Sequence, residues 1–203
     1  MSFRSQGLPL ALVYFQQKFS MSNTLRASSL LLLLTLAGCG GNSTSRPENL
    51  LTSNDYEQLT GWVPDNTIPY LTKEKAHSGL YSACVNGSIE YASGFTSILG
   101  KLSTSRLSKI RIRAWVWLPS KDAKATLVTQ LTDPTTGKLA FYDGLNLIEA
   151  ADNKFNKWVE IEKTLTLPAT ASYTSVLQFY LWRAQSSQPV YLDDIQIERI
   201  NDK

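Results

Sequence analysis

The segment Lys109 to Leu118, KIRIRAWVWL, concentrates side chains whose chemistry is recognition. Successive side chains of an extended strand point to opposite faces. Ile110, Ile112, Ala114, Val116 and Leu118 therefore share one face, and Arg111, Arg113, Trp115 and Trp117 share the other. The first face belongs in a core. An ordinary half-exposed strand would fill the second with Thr, Ser and Lys. This one offers indoles, which stack on the C–H face of a pyranose, and guanidiniums, which bond its hydroxyl rim or grip a carboxylate with two hydrogen bonds. Ser175 to Arg183, SVLQFYLWR, repeats the arrangement, with Leu177, Phe179 and Leu181 on a core face and Gln178, Tyr180 and Trp182 opposite. If both strands line one concave sheet, the exposed aromatics, Arg111, Arg113 and Gln178 form a single groove suited to a sugar. The same pattern is also satisfied if the arginines simply stack on Trp115, Trp117 and Trp182, or if a loop closes over the face and makes it a second core.

Other reactive types are sparse. His77 is the one histidine, which excludes a histidine-cluster zinc site and leaves a single base for any Ser-His-Asp arrangement. Glu160 and Glu162 share the outward face of WVEIEKT and could form a catalytic carboxylate pair, but solvated edge residues explain them with fewer assumptions. The sequence therefore reads as a non-enzyme. Cys84, in LYSACVN, reads as a small buried apolar side chain.

The N-terminal region has a different composition. Arg26 followed by the apolar run Leu30 to Gly38 has the form of a signal peptide, and the run is too short to span a bilayer. LAGC, Leu36 to Cys39, resembles the lipobox of bacterial lipoproteins, which implies acylation of Cys39 and a mature chain that begins there. Residues 1–38 are then a signal segment with an upstream start at Met1 that competes with Met21. Residues 39–48 are a lipidated cysteine and flexible tether, and 49–203 the folded domain. The resemblance implies the bacterial cell envelope, with Gly40 after the cysteine favouring the outer membrane. Arg4, Lys18 and Arg26 precede Cys39 and no acid does. Taking those three from the 20 Lys and Arg leaves 17, equal to the 17 Asp and Glu. A neutral domain is a poor partner for a phosphate backbone, so nucleic acid is not expected.

The elements that must position these side chains are short, β-rich and separated by turn chemistry. They are Leu80 to Val85, Ser88 to Tyr91, Lys109 to Leu118, Ala125 to Thr132, Lys138 to Tyr142, Trp158 to Leu167, Ser175 to Arg183 and Val190 to Glu198, divided by NGS, PSKD, DPTTGK, DNKFNK, LPATAS and AQSSQP. No segment carries a sustained helical period. The fold class is all-β, an antiparallel sandwich or barrel.

NLLTSNDYEQLTGW, AHSGLYS, IRAWVWLP, KWVEIEKTLTLP and the closing VYLDDIQIE, in this order, resemble the galactose-binding-like jelly rolls of carbohydrate-binding module families four, nine, sixteen and twenty-two. The resemblance covers nearly all of Asn49 to Ile200. It implies a two-sheet jelly roll, a carbohydrate partner and a structural calcium ion away from the ligand, with Glu57, Asp193 and Asp194 at the ligand positions. Strand parity from Ile195 and Ile197 turns Asp193 inward and Asp194 outward. Binding sites in this fold also lie in edge loops, where Tyr142 and Asp143 of FYDG or Trp62 of GWVPD become candidates. The expected protein is a monomeric, lipid-anchored module. Its rivals are an envelope scaffold or adhesin that docks a protein partner through the same face, and a small glycan-active enzyme.

Overall fold

The computed structural model of the chain describes residues 47–59 and 68–200, the side chain of Ser93 excepted. The signal segment, Cys39 and Trp62 fall outside them. Alternation of apolar and polar residues makes each long strand one-sided, and two sheets bury their apolar sides together. In chain order the elements are β1 (Leu50–Asn54), β2 (Leu71–Thr72), β3 (Ser82–Val85), β4 (Tyr91–Ile98), α1 (Leu99–Leu102), β5 (Lys109–Trp117), β6 (Thr126–Thr132), β7 (Leu139–Asn146), α2 (Leu147–Ala150), β8 (Trp158–Thr166), β9 (Val176–Trp182) and β10 (Val190–Ile200). The first sheet has the order β2-β3-β10-β5-β8, with β1 pairing the far half of β10; the second has the order β4-β9-β6-β7. All described strand pairs are antiparallel, and the architecture is a jelly-roll β-sandwich.

The core lies between the sheets. Ile110, Ile112, Ala114 and Val116 of β5, Ile161 and Leu165 of β8, and Ile195 and Ile197 of β10 face Leu177, Phe179 and Leu181 of β9 and Leu127 and Leu131 of β6, all buried. Both outer strands of one open side turn a charge inward: Lys163 Nζ of β8 donates to Asp143 Oδ1 of β7 at 2.7 Å, tying the two sheets across their mouth. Inward charges on edge strands also discourage edge-to-edge association.

Several elements depart from the sequence reading: β1 and β2 were not expected, and β7 runs on to Asn146. Ser88 to Tyr91 is only the approach to a strand that runs from Tyr91 to Ile98. A register shift between Ala92 and Phe95 breaks the alternation there, so no clean period of two was visible. The two four-residue helices are too short to show a helical period; α2 forms because the Asn146 side chain accepts from the Ile148 and Glu149 amides. Among the described residues no helix is long and apolar enough to cross a membrane.

Phe179 is fully buried at the centre of the seam. Phe179→Ala is expected to lower unfolding free energy by about 3–5 kcal/mol, read by urea denaturation.

Candidate ligand-binding face

The two strands singled out by their chemistry belong to different sheets: β5 to the first and β9 to the second. Because each gives its apolar side to the same core, the opposite sides point away from each other. Trp115 and Trp117 with Arg111 and Arg113 lie on one outer surface, and Gln178, Tyr180 and Trp182 on the other. The single groove expected from parity is thus corrected to two separate faces.

On the first sheet the face is partly covered, and Arg111, Arg113, Trp115 and Trp117 stay half-buried. The segment Lys73 to Ser78 crosses it as a strap. The His77 ring stacks on Trp115 with centroids 3.9 Å apart and planes 13° from parallel, and meets Trp158 edge-on at 5.7 Å. Trp158 in turn meets Trp117 edge-on at 6.1 Å, and Lys75 Nζ sits 4.4 Å over the Trp117 ring. The Tyr191 hydroxyl donates to Glu74 at 2.6 Å, and burial pushes that phenol well above its ordinary range. Arg113 is hydrogen-bonded and Arg111 is ion-paired, although the buried Arg111 Nε has no hydrogen-bond partner among the described residues. Arg113 Nε donates to Glu162 Oε2 at 2.9 Å, Arg111 Nε lies 3.5 Å from Glu162 Oε1, and each guanidinium has a nitrogen 3.9 Å from Glu198 Oε2. The hydrogen bond to Glu162 holds the Arg113 guanidinium above its usual range. Glu162, the sequence candidate for an acid pair, is therefore an ion-pair partner.

Acidic residues hold the strap down. Asp193 Oδ2 accepts from the His77 amide at 2.7 Å and from the Ser78 amide at 3.3 Å, while its Oδ1 accepts from the Asp194 amide at 2.8 Å. Asp194 accepts from the Ser78 hydroxyl at 2.7 Å and pairs with His77 Nδ1 at 2.6 Å. Glu57 Oε1 accepts from the Leu80 and Tyr81 amides, each at 2.7 Å, against Gly79, whose φ of +58° opens the turn. Asp193 does not point into the core, as simple parity implied. The register shift after Asp193 and the left-handed Asp194 (φ 47°) form a bulge that resets the alternation, so Asp193 lies beneath the strap opposite Trp115. There burial pushes its carboxyl up to about 6, against the pull of the three amides. Calcium needs several converging oxygens. These carboxylates instead bind turn amides and a histidine, and among the described residues no three His, Cys, Asp or Glu side chains group as a metal site. As described, Glu57, Asp193 and Asp194 do not fit the ion.

The outer face of the second sheet is open. Cross-strand registers place Tyr91 beside Trp182, Thr96 beside Gln178, Gln178 beside Gln130, and Gln130 beside Tyr142. Tyr91 meets Tyr180 edge-on at 5.8 Å, Gln130 Nε2 donates to Gln178 Oε1 at 2.7 Å, and Trp182 Nε1 donates to Glu90 Oε1 at 3.4 Å. Burial, with the neighbouring Tyr142 and Tyr91, raises the Tyr180 phenol. Val128 has outward parity yet is only 1% exposed; its cross-strand neighbours are Tyr180 and Gly144, and a Cβ on Gly144 would stand 3.2 Å from the Tyr142 hydroxyl. The rings thus lie along the sheet as a platform, and Tyr91 and Tyr142 keep 54% and 52% of their surface in solvent. Such a platform can stack on apolar faces of a ligand, while the amide pair presents donors and acceptors to its hydroxyls. Of the edge-loop candidates, Tyr142 is on this face, whereas Asp143 turns inward to Lys163. Tyr91 and Gln130 were missed by sequence reasoning, although Gln130 shares parity with Thr126 and Thr132 in ATLVTQLT.

No protein-family model matches the chain, and no curated protein matches its sequence. Solved structures that match its fold include carbohydrate-binding modules. The CBM22-1 xylan-binding domain of Paenibacillus barcinonensis Xyn10C is 21% identical, covering 76% of this chain and 97% of its own, with a TM-score of 0.50. The C-terminal family 22 carbohydrate-binding module of Clostridium thermocellum Xyn10B is 13% identical over 77% and 99% of the two chains, with a TM-score of 0.52. A family 16 carbohydrate-binding module is 19% identical over 73% and 99%, with a TM-score of 0.50. At these identities the likeness is one of fold: the chain has the jelly roll of carbohydrate-binding modules.

The two faces differ in what they do for stability. Trp115→Ala is expected to destabilise the domain by about 3 kcal/mol, by removing the ring on which the strap rests, whereas Tyr142→Ala leaves the urea midpoint unchanged. Thermal melting in excess calcium and in chelator is expected to give one midpoint, since an ion held at a hundredfold its Kd would add about 2.7 kcal/mol.

Proposed function

We propose that the chain is a non-catalytic carbohydrate-binding module, anchored to the cell envelope through Cys39, that takes a poly- or oligosaccharide on the outer face of its second sheet. The observation that carries this reading is the grouping of Tyr91, Tyr142, Tyr180 and Trp182 with the Gln130–Gln178 amide pair on one solvent-facing surface. Single exposed aromatics are ordinary; several on one sheet face, with hydrogen-bonding groups between them, are the composition of a site. The charges at the site stand at its rim: Glu90, whose carboxylate is engaged by the Trp182 indole, and Arg183, whose charge reaches the Tyr91 phenol. That chemistry favours a neutral glycan over a uronate, since Arg111 and Arg113 are on the other face with Glu162 and Glu198. The xylan-binding domains that share the fold support the choice of ligand class. Anchoring rests on the lipobox resemblance of LAGC, and Gly40 after the cysteine favours the outer membrane.

The test uses residues 44–203, the compact unit of the chain, in affinity electrophoresis and calorimetric titration against xylan, other neutral β-glycans and an acidic polysaccharide. Binding to a neutral glycan is expected. Tyr180→Ala and Trp182→Ala are expected to weaken it at least about tenfold each, a change of 1.4 kcal/mol, while Arg113→Ala leaves it intact. Retained binding in both aromatic variants would remove this face from the function, and a folded domain that binds no glycan would favour the protein-docking scaffold.

A further inference from the structure

The two ends of the sandwich are unlike. One end gathers the starts of β1, β5 and β9 and the finishes of β4, β6, β8 and β10. Lys109 pairs with Thr166 and Ile200, Ile98 with Val176, Val176 with Thr132, and the Arg199 amide donates to the Asn49 carbonyl at 2.7 Å. The described chain enters the domain at this end, at Pro47, eight residues after Cys39. Lys101, Arg106 and Lys138 are exposed here, with Lys109 and Arg199 half-buried beside them; Glu48 and Asp133 are the acids of the same region. Arg106 donates to the Ala169 carbonyl at 3.0 Å and Arg199 to Ser105 Oγ at 2.9 Å, so both guanidiniums are held by uncharged oxygens. Among these cations stand Ile98, Leu139 and Tyr173, three of the exposed large hydrophobics of the domain. The opposite end also carries cations, Lys75, Lys121, Lys124, Lys154, Lys157 and Arg183, but there they are interspersed with more acids, Glu74, Glu90, Asp122, Glu149 and Asp152.

Cations grouped with exposed aliphatic side chains and a tyrosine suit a surface that lies in a headgroup layer. The charged heads reach phosphate while their stems and the apolar residues meet the acyl boundary. Basic groups next to a membrane attachment add electrostatic binding to anionic lipid, and an acyl anchor combined with a basic patch holds more firmly than either alone. We propose that this end of the domain docks on an anionic phospholipid surface, with Lys101, Arg106 and Lys138 toward the headgroups and Tyr173 and Leu139 at the boundary. The docked domain would stand on its anchor end, with its strands rising from the membrane and the aromatic face of the second sheet turned sideways. The proposal takes from the anchoring reading only that the chain preceding Pro47 leads to a membrane, and it does not depend on which glycan is bound.

The test places the full chain in phosphatidylcholine vesicles with and without phosphatidylglycerol. A fluorophore is attached at Tyr173→Cys, or at Lys121→Cys on the opposite end, and a nitroxide-headgroup lipid serves as quencher. In the lipidated chain the Cys39 sulfur is held in a thioether and Cys84 is buried, so the introduced thiol takes the label. Vesicle flotation reads the anchoring separately. The expected result is quenching at position 173 several times stronger than at 121. The difference should be largest with phosphatidylglycerol and shrink in high salt, where screening shortens to about 3 Å at 1 M. It should also shrink in the double variant Lys101→Glu, Arg106→Glu, whose fold is checked by circular dichroism. A chain that floats but shows equal quenching at both ends, or a difference that salt and charge reversal leave untouched, overturns the docking and leaves the anchor standing. A chain that does not float overturns both.

Discussion

The contact between the apolar side of β5, Ile110 to Val116, and the apolar side of β9, Leu177 to Leu181, governs what the rest of the molecule can do. Each strand has only two sides. Once one side of each is spent on a shared seam, the remaining sides must face away from each other, on opposite outer surfaces. Two stretches of similar composition, RIRAWVW and LQFYLW, are thereby assigned to separate environments and solve separate problems. Burial of the seam also sets the order of stability, because the largest fully buried side chains of these strands, Phe179 and Ile110 among them, lie in it.

On the first sheet the problem is a row of indoles on an outer surface, and the solution is a strap. Its backbone must cross the sheet without a strand partner, so its amides need acceptors. Asp193, Asp194 and Glu57 supply them, His77 supplies a flat surface for Trp115, and the bulge at Asp194 turns Asp193 from core parity to strap parity. The acidic positions that resemblance associates with calcium serve here as acceptors for a turn. The same ends are met: a loop is fastened to a sheet, and buried carboxylate oxygens find donors.

On the second sheet no segment among the described residues crosses the outer face, and the aromatic rings lie along the strands with part of their surface in water. Stability asks little of Tyr91 and Tyr142, which retain about half their exposure. A neutral, ring-rich surface with a paired amide at its centre is costly to leave open unless a ligand uses it. The proposed ligand is placed on this face for that reason. The charged residues are elsewhere: in the Arg111–Arg113–Glu162–Glu198 ladder, in the Lys163–Asp143 clasp, and at the end where the N-terminal chain enters.

Much of this was legible in the residues alone. Period-two alternation identified most of the long strands and their apolar sides, and turn chemistry separated them, because parity is a property of the backbone and needs no partner. The acidic DD and the lone histidine were visible only as separate candidates, for calcium ligands and for a turn; that they fasten one strap together came from the structure. What tertiary structure alone decided was adjacency: which sheet each strand joins, that a strap rests on Trp115 and Trp117, that Glu162 and Glu198 occupy the arginines, and that Tyr91 and Gln130 complete the open face. Strand pairing is set by contacts between residues dozens of positions apart, and one extra residue at the Asp194 bulge inverts every assignment beyond it. A local pattern has no access to either.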